Sequence, residues 1–470
     1  MEYETIYSLN EHFRKKDLTT LTLVKALIKR IEDKDPLINA VTVLNPHALD
    51  EARVLDQERA EQGPKGPLHG IPVLLKDNIN TLAPMATTAG SLALKDVMTP
   101  YEATLVKNLK QAGALILGKV NLSEFAYFMS RNNMPSGFSS LKGQVKSPYH
   151  ETIDPLGSST GSAVAVAMGY APVTIGTETN GSIIAPCYQN GVVGIKPTVG
   201  LVSRHGIVPI SPFQDTAGPI ARSVRDAALV LEYIKGRDAL DHATLEIPDT
   251  ALDYANAFKT PIKNKRLGLL RLKGHTYTPE EEKLMRDVVE IYRPLGLEIL
   301  ELVFEAKENP NYDSMLYEFK FSLEAYLDSL GDATPMKTIQ DIVTFNAADP
   351  AVRMPYGQTI LEDALKISGD LNDPAYLTAR TNSVKAAQTF TDLYEEHRLD
   401  AMISLHWLSY GPVVGHPSVT VPAKVINDDH PRSMVFTAPP WQEPLLIGLA
   451  YAYEQATHAF TPPPPTPMKA

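Results

Sequence analysis

The chain of 470 residues contains a single cysteine, Cys187. One cysteine excludes an internal disulfide and a cluster of thiolate metal ligands. Cys187 lies in the apolar segment IIAPCYQ, where a free cysteine usually behaves as a small buried hydrophobe. The sequence therefore favours a structural role for this thiol over a nucleophilic one.

Runs of basic residues and long apolar segments are also missing. The net charge is -11, and no Lys/Arg run offsets it, which argues against a nucleic-acid partner. No window approaches the ~18 apolar residues that a membrane span needs. The N-terminal stretch MEYETIYSLNEHFRKKD has no apolar signal core. We therefore expect a cytoplasmic protein with neither a membrane nor a nucleic acid as partner.

Alternating apolar strands and helical patterns are what the sequence does contain. HGIPVLLKDNI and GALILGKV each combine a short apolar run with polar residues at its end. Such runs are typical of buried strands in open α/β sheets, which place ligands at the carboxyl ends of their strands. The pattern predicts an α/β fold, with a central twisted sheet that is mixed and mostly parallel and has helices on both faces.

Two short motifs suggest chemistry that their surroundings do not support. GALILGK at 113–119 matches a phosphate loop, but Val120 stands where a magnesium-binding Ser or Thr is needed. We interpret it as a buried strand that ends in a surface lysine. GSSTG at 157–161 matches a GxSxG nucleophile elbow with Ser159 as nucleophile, but the preceding residues KSPYHETIDPL do not predict the required strand.

Two serine- and glycine-rich clusters, LGSSTGS and GTETNGSII, flank a run of alanine and valine. Together with GIPVLLKDNI before them and GVVGIKPTVGLVSRHGIVPISPFQDTAGPIARSV after them, they resemble the amidase signature family of serine hydrolases. The resemblance implies Ser182 as nucleophile, Ser158 as its partner after a cis peptide bond, and Lys76 as base. Among members of the family, the pattern looks closest to enzymes acting on peptide amides or aryl amides.

Elementary chemistry is consistent with these roles. A serine hydroxyl needs a base within hydrogen-bond reach, and none of the twelve histidines lies in either cluster. A lysine serves if it is neutral, and burial lowers the pKa of its amine. The successive amides of the nucleophile turn predict an oxyanion hole. Its donors are Thr179, Asn180, Gly181 and Ser182, and Glu178 and Asp77 are expected to orient the neighbouring backbone.

Several positions depart from the family pattern. Many members carry an arginine two residues after the nucleophile, whereas this chain has Ile184, so a cation for a substrate carboxylate is missing there. Leu156 and Thr160 replace glycines of the first cluster, and Asn180 replaces the usual Gly or Asp.

The predicted substrate-binding residues are Ala126, through its backbone carbonyl, Ile184, and Trp407 in MISLHWLSYGPVV. His406 and Tyr410 in the same segment are further candidates for the pocket wall. No metal ligand set or cofactor is predicted.

The domain prediction follows from these patterns. We expect a helical segment over 1–62 packed on the core, an amidase domain over 63–460 with its signature core at about 156–224, and a proline-rich tail over 461–470. Pro36 is predicted to close the second helix. Thr278, with Pro279 and Glu281, predicts a capped helix start.

The sequence thus predicts a hydrolase of carboxylic amides that works through an acyl-enzyme on Ser182, as a monomer or homodimer, on a small-molecule or peptide amide. Esters and carbamates are possible further substrates of the same machinery. Three alternatives stay open. They are the A subunit of a tRNA-dependent amidotransferase, an α/β-hydrolase esterase using Ser159, and a non-catalytic scaffold.

Overall fold

One large sheet organises the part of the chain that the computed structural model describes, residues 3–249, 253–307, 309–426 and 430–465. Eleven of its strands form this sheet and two short ones pair separately. The strands are β1 (Val41–Leu44), β2 (Pro72–Lys76), β3 (Leu115–Val120), β4 (Phe138–Ser139), β5 (Gly143–Gln144), β6 (Val173–Glu178), β7 (Val193–Lys196), β8 (Thr216–Ala221), β9 (Arg266–Leu272), β10 (Glu298–Phe304), β11 (Ala401–Ser404), β12 (Ser418–Ile426) and β13 (His430–Thr437).

Helices flank this sheet, among them one packed against β2, β3 and β6 and the last one packed against β12. The helices are α1 (Ile6–Lys15), α2 (Thr20–Ile38), α3 (Ala48–Gln62), α4 (Thr104–Gln111), α5 (Thr160–Ala167), α6 (Ile184–Gln189), α7 (Val224–Ile234), α8 (Pro279–Tyr292), α9 (Asn311–Ser329), α10 (Ile339–Ala347), α11 (Pro350–Arg353), α12 (Thr359–Ala364), α13 (Pro374–Glu396), α14 (Tyr410–Val413) and α15 (Glu443–Thr457).

The order of the strands is β1-β3-β2-β6-β8-β7-β12-β13-β11-β9-β10. Parallel pairs form two blocks, β3-β2-β6 and β11-β9-β10. Antiparallel pairs join these blocks through β8, β7, β12 and β13, and add β1 at one edge. The predicted α/β fold with a mixed sheet is confirmed. The parallel arrangement holds within each block rather than across the whole sheet, because neighbouring segments such as β12 and β13 pair as a hairpin.

The N-terminal segment differs from its prediction in two ways. It contributes the edge strand β1 to the sheet, so residues 1–62 are not only helical. Pro36 lies inside α2, which continues to Ile38, so the prediction that Pro36 closes this helix is wrong. A proline in the last turn removes only one late backbone hydrogen bond. The helix ends at Ile38 and is capped by Asn39, whose φ of 65° is left-handed.

Other local predictions are confirmed. Thr278 and Glu281 form a capping box at the start of α8, and Cys187 is fully buried. GALILGK includes most of β3, as predicted, but Lys119 is buried rather than at the surface. β3 lies between β1 and β2, and the Lys119 Nζ donates to the Ile79 carbonyl at 2.5 Å. Residues 466–470 of the predicted tail lie outside the described residues.

Within the described ranges, no helix is both long enough and apolar enough to cross a membrane.

Candidate active site

Lys76 is the last residue of β2, a strand buried at every position. β2 runs parallel to β6, with Leu75 opposite Ile175, so the Lys76 side chain meets the carboxyl end of β6. Its side chain is fully buried. The Nζ lies 2.7 Å from the Ser158 Oγ, 2.9 Å from the Thr177 Oγ1 and 3.1 Å from the Thr177 carbonyl oxygen. Two residues that the sequence predicts as partners, Lys76 and Ser158, are therefore in direct contact.

The burial of Lys76 changes its acid–base behaviour. Desolvation lowers the pKa of this amine to about 7, while the charges of Asp215 and Glu178 oppose the shift. An ordinary lysine stays protonated well above this range. Lys76 consequently exists in part as a neutral amine at neutral pH, and a neutral amine accepts a proton.

The turn that carries Ser158 is docked onto the end of β6. The peptide bond between Gly157 and Ser158 is cis. The next residue, Ser159, donates its hydroxyl to the Thr177 carbonyl at 2.9 Å and accepts the Thr177 amide at 3.2 Å. Its own amide donates to the Ser182 carbonyl at 3.1 Å. These contacts bring the two serine clusters together.

The same contacts weigh against the alternative elbow. Both hydrogen bonds of the Ser159 hydroxyl go to the backbone of β6, and this residue is fully buried. The residues before 157 form turns and bends, with no strand leading into the motif, whereas a nucleophile elbow follows a strand directly. Ser159 therefore acts as a structural link between α5 and β6.

The two substitutions in the first cluster form a local turn. Leu156 adopts a left-handed φ of 55°, a conformation that glycine adopts more easily. The Thr160 hydroxyl donates to the Leu156 carbonyl at 2.7 Å, and the Asp154 carboxylate accepts the Leu156 amide at 2.8 Å. Side-chain hydrogen bonds thus hold this turn.

Glu178 holds the loop that contains Ser182. One carboxylate oxygen accepts the Gly181 amide at 2.8 Å, and the other accepts the amides of Ile183 at 2.7 Å and Ile184 at 2.9 Å. Carboxylates that accept several amides fix a turn firmly. The Gly181 amide donates to Glu178 and is therefore not available for the predicted oxyanion hole; the amides of Thr179, Asn180 and Ser182 stay predicted donors. Ser182 itself retains 8% exposure.

The Trp407 ring packs against the nucleophile loop at Gly181. Gly181 has a φ of +82°, and a Cβ there would lie 2.8 Å from the Trp407 ring carbon Cζ3. The loop therefore needs glycine both for its conformation and for this close approach. Trp407 is 38% exposed, so one part of its ring packs on the loop while another faces solvent.

Three further residues were considered for contact with the substrate, namely Asn180, Tyr410 and His406. Asn180 donates its side-chain amide to the Ser409 carbonyl at 3.3 Å, which ties the nucleophile loop to this segment. Tyr410 is buried, and its ring stacks on that of Phe390 with the ring centroids 5.8 Å apart. The prediction of Tyr410 as pocket wall is therefore wrong, because this ring completes a hydrophobic cluster. His406 lies beside His275, with ring centroids 4.7 Å apart.

A cavity of about 190 Å³ adjoins the carboxyl end of β6. Ala126 lines it, with a φ of 54° in the short turn Glu124–Tyr127. Ile184 does not line it, because its side chain is buried on α6. The described lining residues are Asn78, Ala126, Thr177, Glu178, Thr179, Arg204, His205, Ile207, Val208, Pro209, Ile210, Ser211, Pro212, Asp215, Thr216, Leu240, Asp241 and Ser322. The two serines and Lys76 are not among them, whereas their contacts Thr177 and Glu178 are.

The charged residues of this cavity are engaged with other groups of the protein. Arg204 makes hydrogen bonds through its Nε and NH2 groups to the Asp241 carboxylate, at 2.8 and 2.6 Å. Asp215 accepts the Thr179 hydroxyl at 2.5 Å and the amides of Ile210 and Ser211. The guanidinium that lines the cavity is therefore already paired with a carboxylate.

Sequence reasoning missed the role of Thr177. Its hydroxyl accepts from the Lys76 Nζ and, at 3.0 Å, from the Asn78 side-chain amide, and its carbonyl is a further acceptor for the amine. Thr177 thus positions the lysine. Nothing in a single sequence distinguishes it from the other threonines nearby. Asp77, expected to orient backbone, accepts the Thr88 backbone amide at 3.4 Å and the Thr88 hydroxyl at 2.5 Å, and it also lies 3.7 Å from the Lys119 amine.

Comparison with known proteins finds relatives that match most of the chain. The Amidase family profile matches residues 22–405. A probable amidase of Arabidopsis thaliana is 37% identical, over 98% of this chain and 91% of the relative. A glutamyl-tRNA(Gln) amidotransferase subunit from Moorella thermoacetica is 32% identical over 97% of both chains. The native peptide amidase from Stenotrophomonas maltophilia superimposes with a TM-score of 0.92, at 41% identity and with 98% of each chain covered.

The fold and these matches define a serine hydrolase class that cleaves amide C–N bonds. The chain belongs to the amidase signature family. The family resemblance, the fold and the amidase activity expected from the sequence are thereby confirmed.

Proposed function

We propose that this amidase works through an acyl-enzyme on Ser182, with Ser158 as proton relay and neutral Lys76 as base. The observation that carries the proposal is the 2.7 Å contact between the Lys76 Nζ and the Ser158 Oγ. A buried amine that is partly neutral at pH 7 accepts a proton, and a hydroxyl beside it passes one on. No other base is needed for the nucleophile.

The proposed steps follow the proton. The Ser158 hydroxyl gives its proton to the Lys76 amine and takes one from the Ser182 hydroxyl, whose oxygen attacks the amide carbonyl carbon. The negative charge on the carbonyl oxygen is stabilised by the remaining amides of the nucleophile loop. The C–N bond breaks when the proton returns through Ser158 to the leaving nitrogen. Water then attacks the ester on Ser182 by the same route, and the carboxylic acid is released.

For the substrate, we infer a neutral amide with an apolar acyl part, such as a peptide that ends in a primary amide. Ile184 stands where many relatives carry an arginine, and Arg204 is already paired with Asp241. A free carboxylate on the substrate therefore finds no available cation among the described residues of the cavity. The peptide amidase named above also supports this substrate class.

A pair of matched substrates tests this inference. The two are N-acyl dipeptide amides that differ only in their last residue, which is glutamine in one and glutamate in the other. The purified chain is expected to hydrolyse the C-terminal amide of the neutral compound with a kcat/KM about tenfold or more above that of the anionic one. Equal rates on both, measured as the peptide acid formed, would contradict the substrate class. Anilides, esters and carbamates of the same acyl group then rank the leaving groups.

The pH dependence of the rate tests the role of Lys76. The pKa of Lys76 is lowered to about 7, so the amine is protonated and unable to accept a proton at lower pH. We expect kcat/KM to rise about tenfold per pH unit below about pH 7 and to level off above it. The profile is measured with a neutral substrate and compared with that of a Lys76→Met variant, which should lack the ascending limb. A flat wild-type profile across about pH 5 to 9 would remove the lysine from the mechanism.

The amidotransferase alternative rests on relatives of that name. A subunit of this kind works as one part of a complex, whereas an amidase completes its reaction alone. Ile184 in place of the family arginine favours the amidase. Turnover of a peptide amide by the isolated chain supports the amidase, and turnover that appears only with added partner proteins supports the alternative.

A further inference from the structure

Two histidines and a glutamate meet at the carboxyl ends of β9 and β11. His275 comes after β9, Glu281 lies in the first turn of α8, and His406 comes after β11. β9 and β11 are parallel neighbours, with Ile403 opposite Leu269. The segments that leave two parallel strands start at the same edge of a sheet, so residues distant in sequence come together there. None of the three contributes to the amidase mechanism described above.

The three side chains present their ligand atoms to one another. These nitrogen and oxygen atoms all lie within 4.8 Å of one another, and the His275 Nε2 is 3.4 Å from a Glu281 carboxylate oxygen. Tetrahedral zinc with bonds of about 2.0–2.2 Å needs ligand atoms roughly 3.4 Å apart. One pair already has this separation. His275 is partly exposed, and its ring also packs edge-on against those of Tyr277 and His406.

An independent observation indicates a ligand at this place. The His406 Nε2 is buried and has no hydrogen-bond partner among the described residues. A buried polar atom without a partner is costly and calls for an explanation, and an imidazole nitrogen is a common metal ligand. The backbone amide of His406 donates to the Ser404 hydroxyl at 2.9 Å, which fixes where the residue stands. A metal ion bound through this nitrogen would give it a partner.

We propose that His275, Glu281 and His406 form a binding site for a divalent transition metal ion such as Zn²⁺. Two imidazoles and one carboxylate suit this class of ion and suit calcium or magnesium poorly, since those prefer oxygen ligands. Three protein ligands leave a fourth position for water. Glu281 already accepts the Thr278 amide at 2.9 Å, so its carboxylate is oriented before a metal binds. The positive charge of Arg432 disfavours a cation at His406. We therefore expect the metal ion to bind with modest affinity.

Titration of the untagged full chain with Co²⁺ alone tests the proposal. Co²⁺ replaces Zn²⁺ readily and gives visible absorption bands that report its coordination. We expect about one Co²⁺ per chain, and displacement of that ion by Zn²⁺ with loss of the bands. Absence of such bands, or many weak ions per chain without saturation, would overturn the site.

Three variants assign the ligands. His275→Ala and His406→Ala are each expected to weaken Co²⁺ binding about tenfold or more. Glu281→Gln removes the carboxylate charge but keeps the capping box, because glutamine at this position also accepts the N-cap amide. Helix α8 should therefore stay intact in this variant, which keeps the site testable if an alanine variant fails to fold. His47→Ala, at an exposed histidine before α3, is the matched control and should bind as the wild type does. Wild-type affinity in all three variants, with circular dichroism unchanged, would show that these residues are not the ligands.

Discussion

Replacement of Ser182 by alanine is expected to lower kcat for amide hydrolysis by about 10⁵-fold or more, because no acyl-enzyme can form without the nucleophile. The change removes one oxygen atom from a loop that Glu178 holds through three backbone amides. These contacts do not use the serine hydroxyl, so the variant should fold normally. The rate is measured by ammonia release, and the fold by thermal unfolding.

Labelling with a fluorophosphonate locates the nucleophile in the same experiment. We expect covalent modification of Ser182 in the wild type, found by peptide mapping, and none in the Ser182→Ala variant. Ser159→Ala is the matched control, since its hydroxyl bonds the backbone of Thr177; it should still be labelled, although with lower stability. A label on Ser159 in the wild type would favour the elbow and overturn the proposed mechanism.

Replacement of Lys76 by methionine is expected to lower kcat by about 10³-fold, within the range that general-base catalysis supplies. Methionine fills a similar volume in the buried pocket and carries no charge, so the fold should persist. The lysine and Ser158 act as one proton path across the 2.7 Å contact. The double variant Lys76→Met, Ser158→Ala should therefore be little slower than either single variant.

Steady-state rates of the two single variants and the double variant measure this coupling. A double variant slower than the wild type by the full product of the two single effects would show two independent roles. A Lys76→Arg variant is a useful comparison, because a guanidinium stays protonated in proteins and cannot serve as base. Wild-type turnover in Lys76→Met would exclude the lysine from the reaction.

The sequence predicted the parts of the site that short motifs encode. The strand that ends at Lys76 is an apolar run, and both serine clusters are local patterns, so the sheet needed only to bring them together. Other predictions depended on contacts between distant segments or on the position of a residue within its element, which a motif does not encode. Pro36 is tolerated because it falls in the last turn of α2, and β1 was missed because four residues give little pattern.

Side-chain direction and packing decided the details of the site that the sequence did not predict. Glu178 orients the neighbouring backbone as expected, but it also takes the Gly181 amide out of the predicted oxyanion hole, and no motif states which amides its carboxylate accepts. Tyr410 was predicted at the pocket wall from its position near Trp407, yet its ring packs on Phe390 from α13. Such packing joins residues from different elements, and their spacing in the sequence does not reveal the contact.

The strand order separates the proposed proton path from the segment that carries Trp407. The proposed proton path comes from one block of the sheet, through β2, β6 and the turn before α5, whereas Trp407 comes from the segment after β11 in the other block. The described links between them include the side chain of Asn180 on the Ser409 carbonyl and the approach of Gly181 to the tryptophan ring. A substitution after β11 can therefore change how Trp407 covers the nucleophile loop without displacing the strands that carry the proposed proton path.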